Sequence, residues 1–226
     1  MPAPSVRATS SVTGATGSTF SVNKPAGTQQ GDILLAFQAT ALNGGSAPAA
    51  PSGWTDRGDT GFGGGSCELQ VFWLLAGASE PSSYTFNNAS GGLGGTADVW
   101  LYALLGAIST GPDGSLIFQA ATSSAPKAPS RTTSVNNELL CCAFAVAAND
   151  TITPPGDLTD LGTLSATVIS LDSAYRVQAS AGATGDETAS SGTHSWCGVQ
   201  VAIKPAVSAC LRNLIVSNPL HQAFFE

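Results

Sequence analysis

This sequence predicts an all-β fold, a two-sheet, jelly-roll-like sandwich, on three observations. Short apolar runs alternate with clusters of Gly, Pro, Asn and Asp along all 226 residues, as strands alternate with turns. Only 10% of residues are charged, against about a quarter in an ordinary globular chain, and small residues take their place. Motifs of the first half return about one hundred residues later. All-β domains of this length are common, so residues 1–206 are expected to form one domain. Such a chain buries enough surface to need no metal or disulfide staple.

The most apolar stretch, residues 69–76 (LQVFWLLA), reads as a strand buried on both faces. Residues 77–81 (GASEP) form a turn whose proline cannot continue a ladder. Residues 84–86 (YTF) then start a strand with a period of two. From the N-terminus, residues 5–12 and 18–23 are short β-prone pieces joined at Gly14-Ala15-Thr16-Gly17. Gly31-Asp32 launches a buried strand over 33–37, and 54–57 is a short one. Residues 98–105 (DVWLYALL) form the next hydrophobic strand, and 116–119 a short one. Residues 123–130 cross to the second half.

There the pattern restarts. Asn137-Glu138-Leu139-Leu140 echoes Gly31-Asp32-Ile33-Leu34. Residues 155–162 (PGDLTDLG) match 51–58 (PSGWTDRG) at four of eight positions. Residues 175–179 fall where 72–76 fell, and 196–203 near 98–105. Two similar halves, 5–122 and 131–206, predict two interlocked Greek keys. Leu34, Val71, Trp73, Trp100, Leu140 and Val201 are expected between the sheets.

A net charge of −7, with scattered basic residues, argues against a nucleic-acid partner. No apolar run approaches the length of a membrane span. The opening MPAPSVRATSS lacks the pattern of a secretory signal, so synthesis in a reducing cytosol is expected. The five cysteines are odd in number, and Cys141 and Cys142 are adjacent, so they read as small buried hydrophobes.

No catalytic, cofactor-binding or metal-ligating set is predicted. His194-Ser195 are neighbours that point to opposite faces of a strand and cannot form a catalytic hydrogen bond that way. Asp150, Asp157, Asp160 and Asp172 lack the spacing of a calcium loop and read as turn formers. The glycine runs at 61–65 and 91–95 carry no phosphate-binding signature. Trp54, Trp73, Trp100 and Trp196 read as core more than as a sugar platform. Asn43 and Phe62, on loops, are better placed for a ligand.

The motifs at 23–27 (NKPAG), 31–37 (GDILLAF), 51–55 (PSGWT) and 71–86 (VFWLLAGASEPSSYTF) resemble those of a β-sandwich domain of tailed-phage and prophage virion proteins. The resemblance runs from about Ser5 to Ala206. It implies a non-enzymatic virion protein without cofactor, with a capsid decoration or cement role as the leading expectation. The partners are then the major capsid protein or another virion protein, and further copies of this chain. A closed ring suits a symmetric shell, and a trimer is the expected one. The rival is a carbohydrate-binding, host-recognition domain of a tail fibre or baseplate, with a surface glycan as ligand. The extension 207–226 lies outside the motif pattern. Its Leu211, Leu214, Ile215, Leu220, Phe224 and Phe225 are too apolar to leave in water. They are expected to anchor the chain on a neighbouring subunit or the particle, the alternative being a tail folded back on its own sandwich.

Overall fold

A computed structural model describes residues 1–41, 47–61, 66–88 and 95–207. Among these the regular structure is entirely β, in two five-stranded antiparallel sheets and three two-stranded ones. The first half supplies β1 (Ser5–Ala15), β2 (Thr19–Asn23), β3 (Ile33–Thr40), β4 (Thr55–Gly61), β5 (Glu68–Leu75), β6 (Ser83–Asn87) and β7 (Ala97–Leu105). The second supplies β8 (Phe118–Ser123), β9 (Lys127–Ala128), β10 (Thr132–Thr133), β11 (Glu138–Val146), β12 (Thr159–Ser165), β13 (Ser170–Gln178), β14 (Gly182–Ala183), β15 (Glu187–Thr188) and β16 (His194–Ile203). The sequence pattern puts 118–122 in the first half, 5–122; pairing with β16 puts β8 in the second.

The first sheet has the order β1-β7-β3-β5-β4, and the second, read from its other edge, β8-β16-β11-β13-β12. Position for position the two orders are the same. Each also has a ribbon formed by its own half, β2-β6 on the first and β15-β9 on the second. The sheets contact each other as an approximate two-fold would require: β1 lies against β12, and β8 against β4. The strands therefore do not interleave. A jelly roll draws both sheets from both halves, whereas here each sheet is built from one contiguous half.

The sheets pack face to face through one apolar layer. Ile33, Leu35, Phe37, Leu69, Val71 and Leu104 come from the first, and Leu139, Cys141, Leu171, Val199, Val201 and Ile203 from the second. Tyr102 crosses the interface. Its ring meets Phe37 and Tyr175 edge-on, and its hydroxyl lies 2.5 Å from Ser173 Oγ. The Ser173 hydroxyl donates to the Cys142 carbonyl, which leaves Tyr102 as donor to Ser173. Val71 and Val201 lie between the sheets as expected. Leu34 and Leu140 do not: both are fully buried, but alternation along β3 and β11 turns them to the outer faces. Trp73 and Trp100 are half-buried and pack at the margin of the inter-sheet layer, where the Trp100 indole donates to the Gly162 carbonyl at 3.2 Å.

The outer faces are buried as well. On the first sheet, Val22, Tyr84 and Phe86 of the β2-β6 ribbon cover Leu34, Ala36, Phe72, Val99 and Leu101, with Trp54 beside them. On the second, Ala128, Ile152, Leu158 and Ala189 cover Cys142, Phe144, Ala174 and Trp196. The central strands are sealed on both sides, which is why their sequences are continuously apolar.

Repeated residues do repeated work. In both 51–58 and 155–162 a tight turn donates to the proline carbonyl, from Trp54 N at 3.0 Å and from Leu158 N at 3.1 Å. A bulge follows on β4 between Asp56 and Asp59, and on β12 between Asp160 and Thr163. In each the aspartate accepts from a left-handed glycine two residues on: Gly58 N to Asp56 Oδ1 at 2.8 Å, Gly162 N to Asp160 Oδ1 at 2.6 Å. Where β3 and β11 begin, the buried acids Asp32 and Glu138 accept the amide three residues earlier, from Gln29 and Val135. Asp32 also holds Arg7, at 2.7 Å.

Candidate functional site

His194, Ser195 and the aspartates of the second half are engaged in holding strands and loops. His194 Nε2 lies 3.0 Å from Asp150 Oδ2, and the same oxygen accepts the Gly192 amide. Those amides, of Gly192 and Thr151, hold the Asp150 carboxyl below its ordinary range, with the histidine adding to them. Ser195 Oγ contacts Thr122 Oγ1 at 3.3 Å instead of the histidine. The four aspartates of the second half do four separate jobs. Asp150 binds His194, Asp157 pairs with Arg176 at 3.4 Å, Asp160 caps its bulge, and Asp172 accepts from Thr163 at 3.0 Å. Cys67, Cys141, Cys142 and Cys197 are free thiols buried in the apolar layers. Among the described residues no three of His, Cys, Asp and Glu converge on one point.

The most distinctive polar constellation lies on the outer face of the first sheet, beyond the reach of its aromatic cover. Gln38 on β3 faces Gln70 on β5, which faces Asp59 on β4; in the adjacent row Thr40 faces Glu68. Partners across antiparallel strands have Cβ atoms about 4.5–5.5 Å apart and point to the same side, so these five side chains form one patch. Gln38, Thr40, Glu68 and Gln70 are almost wholly buried, while Asp59 is exposed and opens the patch to solvent. The amide nitrogens are satisfied: Gln38 Nε2 donates to the Asn87 carbonyl and Gln70 Nε2 to that of Pro48, each at 2.8 Å. The oxygens are not. Gln38 Oε1, Gln70 Oε1 and Glu68 Oε1 have no hydrogen-bond partner among the described residues. Burial, then the charge of Asp59 and a hydrogen bond shared with it, push the Glu68 carboxyl up to about 7.

Asn87 and Pro48 also line a cavity of about 340 Å³, together with Ser18, Thr19 and Asn88. The lining is hydroxyls, amides and small apolar groups.

Two further carboxyls are unusual. Asp172, on β13, is pushed up to about 7 by burial and by nearby Asp160, with Thr163 opposing. Asp98, on β7, is pushed up to about 6 by burial, although it accepts the amides of Gly14 and Ala166. Asp113 goes the other way. Burial disfavours its charge, but Lys204, Ser134 and Glu138 outweigh that and hold it at about 2.

Of the sequence-level candidates, Trp54 and Trp196 are buried in the outer-face layers, and Trp73 and Trp100 edge the inter-sheet layer. Asn43, Phe62, the fifth cysteine, Cys210, and the tail residues Leu211, Leu214, Ile215, Leu220, Phe224 and Phe225 lie outside the described residues. The Gln38–Gln70–Glu68–Asp59 patch was missed by sequence reasoning. Its available signal was polar residues recurring every second position, Gln38 and Thr40, then Glu68 and Gln70, at the ends of strands otherwise apolar.

No protein-family model matches the chain, and neither curated proteins nor solved structures yield a significant match.

Proposed function

We propose that this chain is a non-enzymatic structural protein of a tailed-phage particle, acting as a capsid decoration or cement protein. One observation carries the reading: the histidine–serine pair is tied into the framework. His194, Asp150 and Ser195 bind loops and neighbouring strands, and the four described thiols are buried. What this invests in is a block sealed on four faces, suited to a mechanical load on a shell. The resemblance of 23–27, 31–37, 51–55 and 71–86 to virion β-sandwich motifs supports the same reading. The partners are the major capsid protein and further copies of the chain, as a trimer, with the apolar tail from Val207 onward as the anchor.

The test is location. Cryo-electron microscopy of particles carrying the chain should place it on the capsid shell, and deletion of 207–226 should leave a folded protein that no longer joins particles. Density confined to the tail would favour a second reading, a host-recognition domain. The specific observation behind that reading is the cavity lined by Ser18, Thr19, Pro48 and Asn87, whose mix of hydroxyls and small apolar groups suits a sugar ring.

A further inference from the structure

We propose that Asp59, Glu68, Gln70 and Gln38 form a binding site for one divalent hard cation, calcium, on the outer face of the first sheet. Cross-strand pairing places Gln70 beside Asp59 and directly opposite Gln38, with Glu68 two residues along the same face of β5. The donors are all oxygen, two carboxylates and two amide carbonyls, with Thr40 Oγ1 next to them. Calcium takes such sets at six to eight coordination and tolerates irregular geometry, whereas magnesium demands a near-ideal octahedron. Waters entering past exposed Asp59 complete the shell.

The second observation is independent of the two acids. Among the described residues, Gln38 Oε1, Gln70 Oε1 and Glu68 Oε1 are buried acceptors without a donor. An unsatisfied buried acceptor carries a desolvation penalty, and three on one patch, with both glutamine nitrogens already bonded elsewhere, leave oxygens for a cation to use. Both carboxylates coordinate the ion. The corresponding place in the second half carries a different set. There Thr163 faces Asp172, and Phe144 stands where Gln38 stands, so one site per chain is expected. The inference holds wherever the chain assembles.

The test uses the full chain, stripped with EDTA and titrated with calcium chloride. At pH 8 saturating calcium should raise Tm by roughly 5–10 °C at one hundred times Kd, with magnesium giving less. Isothermal calorimetry should give one calcium per chain. Asp59→Asn, at an exposed position, should abolish both effects and still fold; Glu68→Gln, which keeps the side chain's shape, should do the same. Three results each overturn the proposal: no calcium-dependent Tm change at pH 8, an unchanged response in Asp59→Asn, or a stoichiometry other than one. An equal response to magnesium overturns the choice of calcium.

Discussion

The two halves share one strand order yet cover their outer faces by different chemistry. The first uses bulk. Its five-residue ribbon strands carry Phe20 and Phe86, whose centroids are 6.0 Å apart, and Trp54 meets Tyr84 at 5.1 Å and Phe86 at 5.7 Å. The second uses contact and hydrogen bonds. Gly198 occupies the β16 position where the first half has Val99, and the β9 backbone lies so close that an added Cβ would sit 2.2 Å from the Lys127 carbonyl oxygen. Gln200 Nε2 then donates to the carbonyls of Ala128 at 3.0 Å and Gly185 at 2.8 Å, and Arg176 holds Glu187 at 2.9 Å. A shared topology thus fixes where a cover sits but not what holds it. An aromatic cover gains stability with area and adapts its packing; a backbone latch needs correct geometry at each bond.

The largest effect should come from the aromatic cover. Phe86→Ala, at a fully buried ring touching three others, is expected to cost about 3–5 kcal/mol in equilibrium urea unfolding. A loss under about 1 kcal/mol would mean that the ribbon is not integral to the first half.

Next is the latch. Gly198→Ala forces the β9 backbone away from the sheet and should cost about 3 kcal/mol. Val99→Ala removes only volume and should cost about 1–2 kcal/mol by the same measurement. Reversal of that order would break the contrast between the halves.

Gln200→Leu keeps the volume but removes two donors and the acceptor of the Thr184 hydroxyl, for a loss of about 2 kcal/mol. Hydrogen exchange should rise at β9 and β15 while β2 and β6 stay protected. Equal acceleration in both ribbons would show that the covers are one cooperative unit.

The smallest effect is in pH dependence, where each half has one carboxyl held protonated near neutrality: Glu68 and Asp172, both at about 7. Their folded values lie above the unfolded ones, so their contribution is complete below about pH 4 and is lost as pH rises through 6–7. Asp98, at about 6, acts with the same sign. Asp113, at about 2, has the opposite sign and loses its contribution as pH falls below about 4. In EDTA, Tm should therefore fall from pH 5 to pH 8, and Asp172→Asn should flatten that fall by on the order of 1 kcal/mol. A Tm that climbs over this range would contradict the burial of these carboxyls.

Much of this fold is legible in the sequence because turns and strand starts are local. The bulge-forming Asp-x-Gly in 51–58 and 155–162 depends on a side-chain oxygen two residues from the amide it accepts, and the repeat is visible in the letters. Which face a residue takes was not legible. Leu34 and Leu140 sit in runs buried on both sides, so alternation carries no inside-or-outside signal there. Interleaving was misjudged for a related reason: local pattern shows where strands are, not which strand is the neighbour. β8 begins at Phe118 and runs to Ser123, later than the apolar letters at 116–119 suggest, because pairing with β16 and not hydrophobicity defines it. The polar patch was invisible because its members come from three strands and meet only through register.

The central structural claim is that each half builds its own sheet, and that the halves associate through the inner apolar layer. Cutting the chain in the exposed segment between Gly114 and Ser115 tests it most directly, since no strand of either sheet is severed. Fragments 1–114 and 115–226, refolded together, should form a one-to-one complex with the near-ultraviolet circular dichroism of the intact chain. Fragments that aggregate separately, or mix without recovering that spectrum, would contradict a sandwich made of two self-contained sheets.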